Sequence, residues 1–173
     1  TSFNKLKQLL KLGSVNTVKK YFQYLENSWL FFVINKYAYS VKEQQIAPKK
    51  VYGIDNGLLN SVGFSFSENK GRFLENQVFL YLRKKFQSVY YHKTETSHEV
   101  DFYVPEAKSL WQVTESLDNE EVRKREFRAL VEAKDELKGI KDLFVVTMGE
   151  SRDIDYSGIK FKIISLYHLS LSV

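Results

Sequence analysis

The sequence predicts an α/β (α+β) chain of two domains, residues 1–62 and 63–173: a small helical domain that ends in strands, then a mixed β-sheet flanked by helices. Three observations carry this. Two short amphipathic helical patterns open the chain and give way to apolar runs; a polar stretch, Ser61 to Lys70, interrupts the pattern; and a long helix, several period-two runs and a second long helix follow it. With 173 residues, 43% of them hydrophobic and 15% aromatic, there is material for a real core.

Taken in order, Phe3, Leu6, Leu9 and Leu10 mark the first helix, which Gly13 closes. Ser14 is placed to cap a second helix whose apolar stripe is Val15, Val18, Tyr21, Phe22 and Leu25. Asn16, Thr17, Lys19, Lys20 and Gln23 then face outward. Trp29 to Ile34 and Ala38 to Val41 read as two strands about an Asn35-Lys36 turn. Helix, turn, helix and hairpin in this order resemble a winged helix, with Ser14 to Asn27 as its recognition helix. That resemblance implies that Asn16, Thr17, Lys19, Lys20 and Gln23 meet a DNA groove and that Lys36 and Lys42 lie near phosphates. The same small domain could instead pack on a neighbouring domain. Val51 to Leu59 reads as a short strand and turn leading out of it.

The second domain opens with a helix over Arg72 to Lys85, free of Pro and internal Gly. At 100° per residue Val78, Phe79 and Leu82 fall within about 60° of Glu75, which places a carboxylate in an apolar stripe. His98 to Val104 alternates with period two: Val100, Phe102 and Val104 face one way, Glu99, Asp101 and Tyr103 the other. After the Pro105 to Ser109 connection, Leu110 to Thr114 completes a hairpin and brings Asp101 opposite or diagonal to Gln112, about 5 to 8 Å away. Asp118 or Asn119 caps the next helix, with Glu120 and Glu121 in its first turn and Val122, Phe127, Leu130, Val131 and Leu137 buried. Its Arg123, Lys124, Arg125 and Arg128 could touch a nucleic-acid backbone, but Glu121, Glu126 and Glu132 are close enough for helical ion pairs, and most of them read as a solvated face. Leu143 to Met148 is a buried strand and Ile159 to Ile164 one nearer an edge, followed by a short terminal helix over Ser165 to Leu171. The order is α-β-β-β-α-β-β with helices on both sides of the sheet.

Glu75, Asp101 and the Gln112 carbonyl could supply the oxygens that a hard divalent cation such as Mg²⁺ requires. An acidic helix, a hairpin with a late Asp and a following strand together resemble the PD-(D/E)XK nuclease fold, a restriction-endonuclease-like sheet. In that resemblance the family's acid-x-Lys falls on Gln112 and Thr114. A neutral amide is a poorer metal ligand than a carboxylate, and a Thr hydroxyl lacks the ammonium charge. The catalytic set is then Glu75, Asp101, Gln112 and Thr114, the metal set Glu75, Asp101 and Gln112, and the expected nuclease activity is weak or absent.

The segments Gly71 to Asn76, Glu99 to Phe102 and Trp111 to Thr114, with Glu121 to Ala129 following, carry a resemblance, over nearly the whole chain, to the C-terminal region of archaeal and bacterial AAA+-type P-loop ATPases. The resemblance implies an upstream ATPase domain as partner. No Gly-x-x-x-x-Gly-Lys-Ser/Thr loop occurs, so this chain is not expected to bind ATP itself.

Composition narrows the rest. There is no cysteine, the three His are scattered, and no apolar run reaches membrane-spanning length, so neither thiolate metal sites nor a membrane partner is expected and the location reads as cytoplasmic. The chain starts at Thr1 inside a helical pattern, as a fragment or trimmed chain would. Residues 1–66 carry nine lysines against Glu26, Glu43 and Asp55, whereas the remainder has 17 basic and 18 acidic residues. The positive charge belongs to the first part and favours a polyanion, DNA above all. Three functions stand open: a DNA-binding accessory region of an ATPase with a degenerate nuclease-like site, a metal-dependent structure-specific endonuclease, and a protein-interaction module without nucleic acid.

Overall fold

The computed structural model describes residues 2–62 and 70–171. The chain divides into two compact units, residues 1–65 and 66–173. Most of the Ser61 to Lys70 boundary expected from the sequence lies outside the described residues.

In the first unit α1 (Phe3–Leu9) and α2 (Val15–Asn27) are each capped by a serine, Ser2 accepting from the Lys5 N–H and Ser14 from the Thr17 N–H. The rings of Phe3 and Phe22 meet at 5.2 Å and join the two helices, while Val18 is the buried residue of α2. Tyr21, expected on the buried stripe, is 49% exposed.

The expected hairpin about Asn35-Lys36 does not form. β1 (Phe31–Ile34) instead pairs antiparallel with β2 (Lys50–Gly53), from Phe31 opposite Gly53 to Ile34 opposite Lys50. Ala38 to Val41 is not a strand, because the Ser40 hydroxyl accepts the Glu43 N–H and starts α3 (Val41–Ile46). A side chain that satisfies a free helical N–H offers the backbone a local alternative to a strand ladder. The Lys36–Glu43 ion pair at 2.8 Å ties the connection down. β2 runs into α4 (Asn56–Val62), and a Cβ on Gly53 would lie 2.6 Å from the Leu59 side chain, so a larger residue there would push Leu59 aside.

The second unit holds a six-stranded mixed sheet in the order β3-β4-β5-β6-β8-β7. Its elements are α5 (Lys70–Lys85), β3 (Tyr90–Lys93), β4 (Glu99–Val104), β5 (Ser109–Val113), α6 (Glu120–Glu136), β6 (Asp142–Thr147), β7 (Arg152–Tyr156), β8 (Ile159–Ser165) and α7 (Leu166–Leu171). The strands β3, β4 and β5 form an antiparallel meander; β5, β6 and β8 run parallel; β7 returns antiparallel on the outer edge. β7 is one strand more than the sequence suggested. It is joined to β8 through Ser157 and Gly158, both at positive φ (54° and 77°), the two-residue turn whose twist suits a hairpin.

Helices cover both faces. α5 packs on the face carrying Phe102 and Trp111, through Phe79 on Phe102 at 6.3 Å and Tyr81 on Trp111 at 6.4 Å. α6, capped by Asn119, covers the face of Asp101 and Gln112 and stacks Phe127 on Phe161 at 4.2 Å. Phe79, Phe102, Phe127 and Phe161 are all fully buried. No helix among the described residues is long and apolar enough to cross a membrane.

Candidate functional site

The site forms where β4 and β5 come apart at one end. Their backbones pair from Val104 opposite Ser109 to Phe102 opposite Trp111. One step further, side chains take over the pairing. The Asp101 N–H donates to Gln112 Oε1 at 3.2 Å, and the Val113 N–H donates to Asp101 Oδ2 at 3.0 Å. Gln112 Nε2 donates to Glu126 Oε2 on α6 at 2.5 Å and to the Glu99 carbonyl at 3.4 Å. Gln112 and Glu126 are both buried, and Arg125 completes the carboxylate from outside with Nη2 2.5 Å from Oε1. A buried carboxylate persists only with such partners.

Beside this junction lies a cleft of about 590 Å³. Glu75, Asp101 and Gln112 all line it, together with Arg72, His98, Glu99, Glu115, Arg125 and Glu126. Glu75 is half-buried and reaches the cleft from α5, whereas Asp101 and Gln112 lie on the face that α6 covers. Thr114 is not among the lining residues: its N–H donates to the Val146 carbonyl at 3.0 Å and its hydroxyl to the Ser116 carbonyl at 3.3 Å. Among the described residues, no three His, Asp or Glu side chains are grouped to hold a metal ion. The cleft opens at the carboxyl end of β5, through Gln112, Val113 and Glu115, and at the start of β4, through Glu99 and Asp101.

A second polar cluster adjoins it. The Glu132 carboxylate accepts from the Thr96 hydroxyl, from Arg128 Nε at 2.9 Å and from His98 Nδ1 at 2.7 Å. The Thr96 hydroxyl, then Arg128 and His98, hold Glu132 down at a pKa of about 2 against the cost of burial. One turn on, Glu136 accepts from His92 Nε2 and from the Glu95 N–H, both at 2.8 Å. The hairpin of β3 and β4 is thereby tied to the last turns of α6.

Glu126 is a correction to the sequence reading, which placed it among solvated ion pairs. It precedes Ala129, Leu130 and Ala133 by three, four and seven residues, so it sits on the helix's apolar stripe. The same test that marked Glu75 would have found it. Lys124 and Arg128 do lie in exposed i,i+4 pairs with Glu120 and Glu132.

In the first unit Asn16, Lys19, Lys20 and Gln23 are exposed along α2, and Thr17 is half-buried with its hydroxyl 3.0 Å from Ser14 Oγ. Lys42 is exposed, whereas Lys36 is held by Glu43. Burial and the nearby Lys19 charge push the Lys49 ammonium below the ordinary lysine range.

Comparisons with known proteins agree with the division into two units. Residues 1–70 match a family described as a domain of unknown function, DUF8612. The uncharacterized protein MJ1544 of Methanocaldococcus jannaschii is 38% identical over 140 residues, which cover 78% of this chain. The match spans about 30% of that relative's length. No solved structure matches the chain. Residues 70–169, more than half of the sequence and nearly all of the second unit, match the domain of unknown function DUF4143, and the chain belongs to that family.

Proposed function

We propose that this chain is a DNA-binding accessory region of a larger AAA+-type ATPase, in which the first unit is a winged helix and the second a nuclease-like domain whose site has closed on itself. Domains of the DUF4143 family are often found at the C-termini of AAA-ATPase-like proteins, which supports the ATPase context. The observation that carries the rest is the Gln112 amide. Its oxygen is taken by the Asp101 N–H and its nitrogen by Glu126, so the position that carries an acid in a working nuclease serves here as an internal strut.

The residues present do not fit Mg²⁺ as they stand. Oxygens of Gln112 and Asp101 accept backbone N–H groups, and the amide nitrogen occupies the Glu126 carboxylate. Among the described residues no lysine lines the cleft. Binding through the basic first unit needs none of this, and Asn16, Lys19, Lys20 and Gln23 present polar and cationic groups on one side of α2.

The test is cleavage of labelled linear, single-stranded and branched DNA by the whole chain with Mg²⁺ or Mn²⁺, beside a binding titration across salt. Salt-sensitive binding without cleavage is expected. Cleavage that disappears in Asp101→Ala would establish the endonuclease instead, a reading favoured by Glu75, Glu99, Asp101 and Glu115, which line one cleft together with Glu126. Absence of both activities would leave the protein-interaction module.

A further inference from the structure

On α2 the exposed arc is not uniformly polar. At 100° per residue Lys20, Tyr24 and Tyr21 share an arc of about 100°, with Lys20 and Tyr24 on the side away from Val18 and Phe22 and Tyr21 on the flank, about 60° from Val18. Tyr24 is 63% exposed, and neither tyrosine hydroxyl has a partner among the described residues. Just past the helix, Trp29 is 65% exposed and sits at a φ of 60°, a conformation that glycine usually takes after a helix. Its N–H donates to the Glu26 carbonyl at 3.0 Å, and its ring touches Phe32 edge-on at 6.3 Å. Large aromatics held in solvent, one of them in a costly backbone conformation, suit a stacking ligand.

Charge says which ligand. All three acids of this unit are engaged: Glu26 accepts the Val33 N–H, Glu43 holds Lys36, and Asp55 accepts the Leu58 N–H. Lys19 and Lys20 have no ion pair among the described residues. A cationic surface bearing free aromatic faces matches a polyanion whose bases are unpaired, because every base has a face to stack while the lysines meet phosphates. A duplex hides those faces.

We infer that Tyr21, Tyr24 and Trp29, with Lys20 beside them, form a stacking surface for single-stranded DNA on the first unit. This rests on the reading of that unit as DNA-binding, and it names the form of DNA bound.

The experiment uses the whole chain. Labelled oligothymidine, a duplex and oligouridine of equal length are titrated by fluorescence anisotropy, and tryptophan emission is followed in parallel, since Trp111 is buried and Trp29 exposed. Oligothymidine is expected to bind more tightly than duplex and to quench the Trp29 emission. Tyr24→Ala should weaken it roughly tenfold and Tyr24→Phe should retain it, because the ring and not the hydroxyl stacks. Tyr24 is exposed enough for either variant to fold. Tighter duplex binding, unmoved by Tyr24→Ala, would overturn this inference and leave the accessory function standing. Single-strand binding indifferent to Tyr24→Ala and to Trp29→Ala would overturn the surface assigned here. Oligouridine bound tenfold better than oligothymidine would reassign the ligand to RNA, and no binding of any strand would overturn the DNA-binding function as well.

Discussion

Gln112 and Glu126 meet inside the second unit with the amide nitrogen 2.5 Å from the carboxylate oxygen, one on a strand end and the other on the helix above it. A neutral amide is the side chain that can bridge an N–H and a carboxylate at once. An acid at that position would confront Glu126 directly, so the neutral amide at 112 and the burial of Glu126 belong together.

Removing the bridge should be costly. Gln112→Leu keeps the volume but strips a donor from buried Glu126 and an acceptor from the Asp101 N–H. It is expected to lower stability by about 3 kcal/mol, seen as a lower urea midpoint at unchanged slope. Glu126→Gln, which leaves no charge behind, should cost less. Equal midpoints for Gln112→Leu and the parent chain would show that the bridge contributes nothing.

Gln112→Glu tests the site differently. Two carboxylates in contact cannot both stay ionised without a cation or a proton between them. The melting temperature should fall in chelator, and both Mg²⁺ and mild acid should restore it. Recovery with neither would mean that the introduced side chain turns out to solvent.

Stability should also depend on Glu132. Its folded pKa of about 2 lies below its ordinary value of 4.5, so the carboxylate stabilises the fold above pH about 4.5 and loses that contribution as pH falls toward 2. Glu132→Gln should therefore be less stable than the parent at neutral pH, and the two urea midpoints should converge through that window. A gap that persists at pH 2 would assign the effect to packing instead of charge.

The core gives a stronger effect. Phe127 stacks on Phe161 and meets Tyr156 edge-on at 5.2 Å, completely buried. Phe127→Ala should cost about 3–5 kcal/mol in chemical denaturation, by lost burial and the cavity left behind.

In the first unit, Ser14→Ala removes the acceptor for the Thr17 N–H. About 1 kcal/mol of local helix stability should go with it, visible as faster amide exchange in the first turn of α2. Ser14→Asp should restore protection.

Much of this architecture was legible because local chemistry and the tertiary solution agree. Ser14 and Asn119 cap where their side chains predict, and the alternation over Glu99 to Val104 with the Pro105 to Ser109 turn sets Asp101 across from Gln112. The failures have physical causes. Ala38 to Val41 alternates like a strand, yet Ser40 capping a helix is decided by one hydrogen bond that periodicity does not register. β7 carries Arg152, Asp153 and Asp155 and so lacks an apolar run, as protected edge strands do, although the Ser157-Gly158 turn advertises it. Tyr21 fell on the apolar side of a count that cannot know how little of α2 its own unit covers. That Glu75 and Asp101 line one cleft was anticipated; that Gln112 would be spent on Glu126 depends on where α6 lies, which no local pattern encodes.

The parallel joining of β5 to β6 has a consequence for how the chain is made. The meander from β3 to β5 closes through short turns and can assemble as soon as it leaves the ribosome, but Ser109 must wait for Asp142 and Trp111 for Phe144, on the far side of α6. Until then β5 presents an unpaired edge on which Trp111 lacks its stacking partner Phe144, the kind of template on which a second nascent chain can pair. The interval before α6 and β6 emerge is the moment of greatest aggregation hazard, and substitutions that slow their docking should show first as insoluble protein.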